Sequence, residues 1–408
     1  MCKNVLNVTS EIGKLEAVLL HRPGREIENL VPEYLERLLF DDIPYLKVAQ
    51  KEYDIFAGVL RENGVEVYYV EKLMAEVIQD QSIKEDFVNQ FLDESNIETQ
   101  EIKSVLYEYL IEKDTNDLVD TVIAGVRKSD LPEDKTRGIK EVDKDKYHFF
   151  IDPMPNLYFT RDIGAVIGNG ITINKMKTAA RKRETLFTKF IYENHPMFKQ
   201  NGTKLLYDRD MPYTIEGGDE LVLSNEVVAI GSSARTSKEA IETVAKNLFK
   251  EKGFKKVLMF DIPKCRAFMH LDTVFTMVDY DKFTIHPGIL EPMEVYTITP
   301  AGEDQIDISY DTNTPENILK EALHLSEVDL IICGGGDPIV AAREQWNDGS
   351  NTLAIAPGVV ITYERNYVSN ELLEKHGAKV ITMPSSELSR GRGGPRCMSM
   401  PLIRKDIE

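Results

Sequence analysis

"RDIGAVIGNGITIN" (residues 161–174) sets an acid, Asp162, before an apolar run, an Asn169-Gly170 pair and a second apolar run. Asn-Gly between β-branched residues is the strongest short signal for a two-residue hairpin turn. The same order recurs in "GGDELVLSNEVVAIG" (217–231), turning near Ser224-Asn225, and in "HLDTVFTMVDYDKFTIHP" (270–287), turning near Asp279–Asp281. A fourth hairpin, "SNTLAIAPGVVITYE" (350–364), turns at Pro357-Gly358 and carries Asn351 where the others carry an acid. The leading acids Asp162, Asp219 and Asp272 are 57 and 53 residues apart. A recurrence at this period marks a repeat architecture.

Working outward, helical periodicity follows the hairpins at Arg183–Asn194, Ser237–Lys250, Pro315–Leu323 and Asn366–His376. A further apolar strand follows in "KKVLMFDI", "VDLIICGG" and "AKVITMP". The unit is strand, strand, helix, strand. The two ends of the chain supply a fifth copy: "CMSMPLIRK" pairs with "KLEAVLLHRPG", and "VEVYYVEKL" near residue 68 closes it. These units predict a five-bladed α/β propeller of pseudo-symmetric ββαβ units. A doubly wound parallel sheet is the rival, but its strands would not alternate with so many hairpins. Residues 74–146 leave the pattern for helix-period segments with acidic starts, and are expected to form an inserted helical subdomain. The propeller domain then comprises 1–73 and 147–408.

The composition, 42% hydrophobic and 29% charged residues, is that of a soluble globular chain. Its net charge of −19 repels phosphate backbones and argues against nucleic acid as a partner. The helical insertion has a mostly acidic polar face, which argues against a membrane surface. Cys2, Cys265, Cys333 and Cys397 are scattered without a CxxC pair, so neither a disulfide framework nor a zinc site is expected. No apolar run approaches the ~20 residues of a membrane span. With no leader-like N-terminus, these features lead us to expect a cytoplasmic protein.

In such a propeller the hairpin-leading residues share one end of their strands. Asp162, Asp219 and Asp272 would meet there with His270, Glu216 and Cys397, the last delivered by the glycine-rich "GRGGPRC" (391–397). A thiol beside arginines tends toward thiolate, the nucleophilic form. Each group also has a plainer reading. "GRGGPRC" serves equally as a glycine turn with a buried cysteine, and "EGGDE" (216–220) as a turn whose glycines take positive φ. "HLD" with Glu216 could ligate a divalent metal. "ICGGGDP" (332–338) lacks nucleotide-binding spacing and reads as a glycine turn. The recurrence at equivalent points of a repeat favours a shared site.

"NLYFTRD" (156–162), "EGGDE", "MHLDTVF" (269–275) and "GRGGPRCMSMPL" (391–402) together resemble the arginine deiminase family, over essentially the whole chain. The resemblance implies the propeller fold and hydrolysis of L-arginine to L-citrulline and ammonia through a covalent amidino-cysteine intermediate, in arginine catabolism. It implies Cys397 as nucleophile, His270 as general acid/base, Asp162 and Asp272 as guanidinium ligands, and Glu216 as the partner of His270. It further implies that Arg181, Arg235 and Arg392 meet the substrate carboxylate and that Asn156 and Phe159 flank the amino acid. No metal or other cofactor is expected, and a homodimer is. Pro395-Arg396 stand where relatives are expected to carry Gly-His, which bears on the loop's stiffness and the thiol's surroundings. A metallohydrolase and a non-catalytic arginine-binding module are the competing classes.

Overall fold

In the computed structural model, which describes residues 6–131, 147–199, 202–251, 253–290 and 293–407, the opening hairpin pairs Gly164–Ile167 with Gly170–Ile173. Its loop is Gly168-Asn169, one residue earlier than the Asn169-Gly170 reading, because Gly170 already pairs with Ile167. Gly168 has φ 60, the glycine-favoured value that a tight hairpin needs at its first loop position. A third strand, Lys204–Tyr207, runs parallel to the second.

Four other sheets contain the same antiparallel-then-parallel triplet. They are Glu220–Val222, Val227–Ser232 and Lys256–Asp261; then Phe275–Met277, Lys282–Ile285 and Asp329–Ile332; then Leu353–Ala356, Val359–Tyr363 and Lys379–Met383. The fifth joins the two ends of the chain: Met400–Arg404 pairs antiparallel with Leu15–Leu20, which pairs parallel with Glu66–Tyr69. The α/β class and the repeated unit therefore follow the reading above.

The helices lie between the second and third strands, where their caps predict them. Ser237 accepts from Ala240 N to start Lys238–Phe249, and Thr314 accepts from Asn317 N to start Pro315–Ala322. Each buries an apolar stripe, such as Ala240, Ile241, Val244 and Leu248, on its own sheet. The hairpin Glu294–Gly302 and Gln305–Asp311, which extends the second sheet, was not anticipated. The last strand begins at Met400, because Met398 N still donates to Gly394 O in the preceding turn.

Among the described residues of the region read as an insertion lie the α-helices Val70–Val77, Gln81–Asp93, Gln100–Ile111 and Thr115–Ala124. The boundary after residue 73 falls inside the first of them, because the strand ending at Tyr69 passes into that helix without a linker. Phe87 packs against Phe187 and Phe190 with ring centroids 5.5 and 5.3 Å apart, so these helices share one apolar core with the first sheet's helix. The boundary at 146 and Cys2 lie outside the described residues. Among the described residues no helix is long and apolar enough to cross a membrane.

Candidate active site

The residue that opens the first strand of each sheet is a local consequence of the repeat, and most of these residues converge. Cys397, Asp272 and Asn351 form one cluster: Cys397 Sγ lies 3.6 Å from Asp272 Oδ2, and Asn351 accepts from Cys397 N while donating to Asp272 O. Asn351, at the position of the missing acid, therefore ties the backbone N–H of Cys397 to the backbone carbonyl of Asp272, whose carboxylate lies beside the thiol. Asp219 departs from the expectation. It is turned into the core, where it accepts from Ser233 Oγ and Leu271 N, and burial pushes it up to about 7 against the opposing charge of His270. It fixes the backbone one residue after His270 instead of joining the mouth.

His270 gives one ring nitrogen to Glu216, with Nε2 2.8 Å from Oε2, and its Nδ1 lies 3.7 Å from Asp162 Oδ1. Burial pulls the imidazole down. The Asp162 charge, the hydrogen bond to Glu216 and the charges of Asp219 and Glu216 outweigh it and hold the ring at about 9. Glu216 shows the opposite sign. Burial favours its neutral form, but the bond to His270, the His270 charge, Arg235 and Arg181 hold it at about 2. The pair is an imidazolium-carboxylate at neutral pH.

The glycines of "EGGDE" are there for approach and not for positive φ, which neither Gly217 nor Gly218 adopts. A Cβ on Gly217 would stand 2.1 Å from Arg161 O, and one on Gly218 2.7 Å from His270 Nδ1.

The two aspartates are held alike. Arg181 Nη1 donates to Asp162 Oδ2 at 2.6 Å, and Arg396 Nη1 donates to Asp272 Oδ2 at 2.8 Å. In both, the Oδ1 atom is buried without a hydrogen-bond partner. Arg181 is otherwise committed to Glu184 and to the carbonyls of Asn156 and Phe159. Arg392 Nε and Nη1 are buried without a hydrogen-bond partner, while Arg235 donates from Nη2 to Met269 Sδ at 3.7 Å and reaches Glu216 Oε1 from Nη1 at 3.8 Å. Asn156 donates to Leu38 O, and Phe159 lies against Tyr158 with centroids 4.0 Å apart.

The loop 391–397 is buried throughout, not the flexible cationic stretch its composition suggests. A Cβ on Gly393 would stand 2.2 Å from the Phe159 ring, so glycine lets the loop lie against the pocket wall. Nor is the thiol activated by its arginine neighbour. Burial raises the thiol well above its ordinary range, and Asp272, Asp162 and Asp348 raise it further; Arg396 opposes them but spends its donors on Glu11, Asp272 and Glu220 O. Sequence reasoning missed Glu11 and also Glu52. Glu52, on helix Leu46–Glu62, accepts from Ser386 N and Oγ, Glu387 N and Leu388 N, and so anchors the start of the thiol's loop. A buried glutamate on an amphipathic helix was the only available signal.

Asn156, Phe159, Asp162, Arg181, Arg235, His270, Arg392 and Cys397 line one cavity, with Leu39, Arg266 and Met269 at its rim. Its volume is about 30 Å³, far below the ~300–1,000 Å³ of typical ligand pockets. Ion pairs of Arg266 with Asp41 and Arg390 with Asp42 join the rim loops. A larger groove of about 1070 Å³, walled by Glu28, Tyr34 and Phe149 among others, holds none of these groups. Donor atoms of Asp162, Glu216 and His270 lie within 4.8 Å of one another, as a metal-dependent alternative would need.

A family model described as arginine deiminase matches residues 36–404. An arginine deiminase of Bacillus thuringiensis subsp. konkukian is 57% identical over 410 residues, covering 99% of this chain and 100% of the relative. One from Clostridium perfringens (strain SM101 / Type A) is 56% identical over 408 residues, covering 98% of each. Among solved structures, SxtG, an amidinotransferase from Microseira wollei, superposes with a TM-score of 0.55 at 16% identity, covering 98% of each chain; at that identity the likeness concerns the fold alone.

Proposed function

The chain belongs to the arginine deiminase family and hydrolyses L-arginine to L-citrulline and ammonia, and we propose that it does so through a thioether formed on Cys397. The observation that carries this assignment is the pair of half-held aspartates. Guanidinium is a planar, permanently charged fork of N–H donors. The unpartnered Oδ1 atoms of Asp162 and Asp272 are the acceptors such a fork needs, and in this reading the thiol beside Asp272 attacks the central carbon from outside the plane.

In the proposed first half-reaction, the Cys397 thiol gives up its proton to solvent as the cationic substrate binds, and the sulfur then bonds to the guanidinium carbon to give a neutral tetrahedral adduct. His270 Nδ1, the nitrogen not bonded to Glu216, protonates the departing nitrogen, and the C–N bond breaks to release ammonia. The planar amidino-thioether remains. Water then attacks the same carbon, giving its proton to the now neutral His270. The C–S bond breaks, the hydroxyl proton of the adduct passes to the departing sulfur, and citrulline leaves with the neutral thiol restored. Glu216 holds the ring in place and favours its charged form before each proton donation.

Arg235 and Arg392 meet the substrate carboxylate in this reading, with Arg181 adding charge while it holds Asp162. Asn156 and Phe159 flank the aliphatic chain. No metal or organic cofactor takes part, and the thiol starts as the neutral form. With a cavity of about 30 Å³, well below a typical ligand pocket, the rim moves as arginine enters. We further propose that the enzyme works in the cytoplasm as a homodimer, with the helical region inserted into the propeller. The test is citrulline and ammonia release from L-arginine by the metal-stripped protein, with Cys397→Ser as control. Stoichiometric products that vanish in the variant are expected, and equal activity in both would refute the role of the thiol.

A further inference from the structure

Trp346, the single tryptophan of the sequence, ends the helix Pro338–Trp346 and belongs to none of the groups assigned above. The Arg392 guanidinium lies over its indole, with Cζ 3.4 Å from the ring centroid. The contact uses the flat face of the guanidinium. Its N–H edge is left unused: Arg392 Nε and Nη1 are buried and have no hydrogen-bond partner. Buried donors without an acceptor are costly, so an acceptor from outside the chain is what this seat is built to receive.

Two further features show that the seat is held in place. Asp348, two residues past Trp346, is buried beside Arg392 with its Oδ2 also unpartnered; burial pushes its carboxyl up to about 7 against the Arg392 charge, and its charged form favours the guanidinium in return. Arg392 and Asp348 both adopt left-handed backbone, with φ of 64 and 60, a conformation that side-chain-bearing residues keep only when their surroundings enforce it. The helix below is pinned on both sides of the stack: Gln345 donates to Ala267 O, and Glu344 accepts from Val368 N, Ser369 N and Ser369 Oγ. Trp346 itself is 47% exposed, so packing of the core does not explain its presence.

We propose that Trp346 is a positioning residue that sets selectivity for substrates bearing an α-carboxylate, by holding Arg392 by its face so that its N–H edge meets that carboxylate. The inference rests on the assignment of Arg392 to the substrate carboxylate. It extends the recognition of arginine to a residue that touches no part of the substrate.

The test uses full-length Trp346→Leu and Trp346→Phe, with kcat and KM measured for L-arginine and inhibition constants for agmatine, which has the guanidinium but no carboxylate. Trp346→Leu is expected to raise the KM of L-arginine about 10-fold, the middle of what a cation–π contact supports. It should leave kcat within about twofold and agmatine inhibition unchanged, while Trp346→Phe recovers part of the loss. Equal losses for arginine and agmatine, or no change in either, would overturn the proposal. Arg392→Ala separates the two levels. If it leaves the preference for arginine intact, the carboxylate assignment itself fails; if it removes the preference and Trp346→Leu does not, only the role of Trp346 fails.

Discussion

Replacing Glu216 by Gln tests the acid–base assignment most directly, because it keeps an acceptor for His270 Nε2 and removes one charge. The imidazole stands at about 9 instead of 6.5, which corresponds to roughly 3 kcal/mol favouring the charged ring. A charge-assisted hydrogen bond contributes about 1.5–3 kcal/mol, so its loss should lower the midpoint by about one to two pH units at ~1.4 kcal/mol each. Asp162 and Asp219 keep their share of the shift. Departure of ammonia needs the imidazolium, so the alkaline limb of the pH–kcat profile should follow the ring and move toward acid by that amount. The sign for stability is fixed by the same pair. A raised histidine stabilises fully below 6.5 and loses that contribution as pH rises through about 9; a depressed Glu216 contributes above 4.5 and loses it as pH falls through about 2. The stability gap between wild type and variant should therefore be widest between pH 4.5 and 6.5 and narrow toward 9. Denaturant unfolding at several pH values, beside the kinetic profile, measures both. Coincident alkaline limbs would refute the claim that Glu216 sets the charge of His270.

Other outcomes follow from the same geometry. Binding of a guanidinium inhibitor should lower the Cys397 pKa, because the free enzyme surrounds the thiol with carboxylates; ultraviolet thiolate absorbance that stays constant across binding would refute this. Gly218→Ala places a methyl 2.7 Å from His270 Nδ1 and should cost about 10²-fold in kcat, with circular dichroism unchanged. Arg396→Met leaves Glu11 and Asp272 buried without their partner and should destabilise the fold by about 3–5 kcal/mol in urea titrations; a loss below about 1 kcal/mol would show that the network is slack. Chelator treatment should leave turnover unchanged, and loss of activity restored by a divalent metal would instead point to the Asp162–Glu216–His270 trio as ligands.

The repeat was legible because each unit uses strong local signals: a tight turn, a capped helix, an apolar closing strand. Even the pairing of the chain ends could be read, since Leu15–Leu20 and Met400–Arg404 are both apolar strands lacking a local partner. The hairpin at 294–311 escaped notice because it adds to a unit already complete. At the site, residues at equivalent repeat positions were found, but their orientation was not. Asp219 has the same place in its unit as Asp162 and Asp272 yet faces the core, since a Cβ at Gly231 would approach Asp219 Oδ1 to 2.4 Å and the absence of one makes room for that turn. Glu11 and Glu52 are hundreds of residues from what they hold, and no periodicity reports a contact of that range.

The arginine before the nucleophile is where composition misled most, and its geometry explains why. A guanidinium next to a cysteine in sequence suggests an activated thiolate, yet Arg396 turns away from the sulfur and binds Asp272 through the oxygen nearest the thiol. Its effect is the one Arg181 has on Asp162: it pairs with a buried carboxylate through one oxygen and leaves the other open. Placing positive charge directly on the thiol would instead repel a cationic substrate from the attack position. By spending its arginines on the carboxylates, the site stays attractive to guanidinium, and the substrate becomes the cation that can favour thiolate. Activation of the nucleophile is thereby coupled to occupancy, which predicts slow reaction of the free enzyme's Cys397 with neutral alkylating agents at neutral pH and faster alkylation by reagents that carry their own amidinium group. Equal rates with the two reagent types, matched for intrinsic reactivity, would mean that the thiolate exists before substrate arrives.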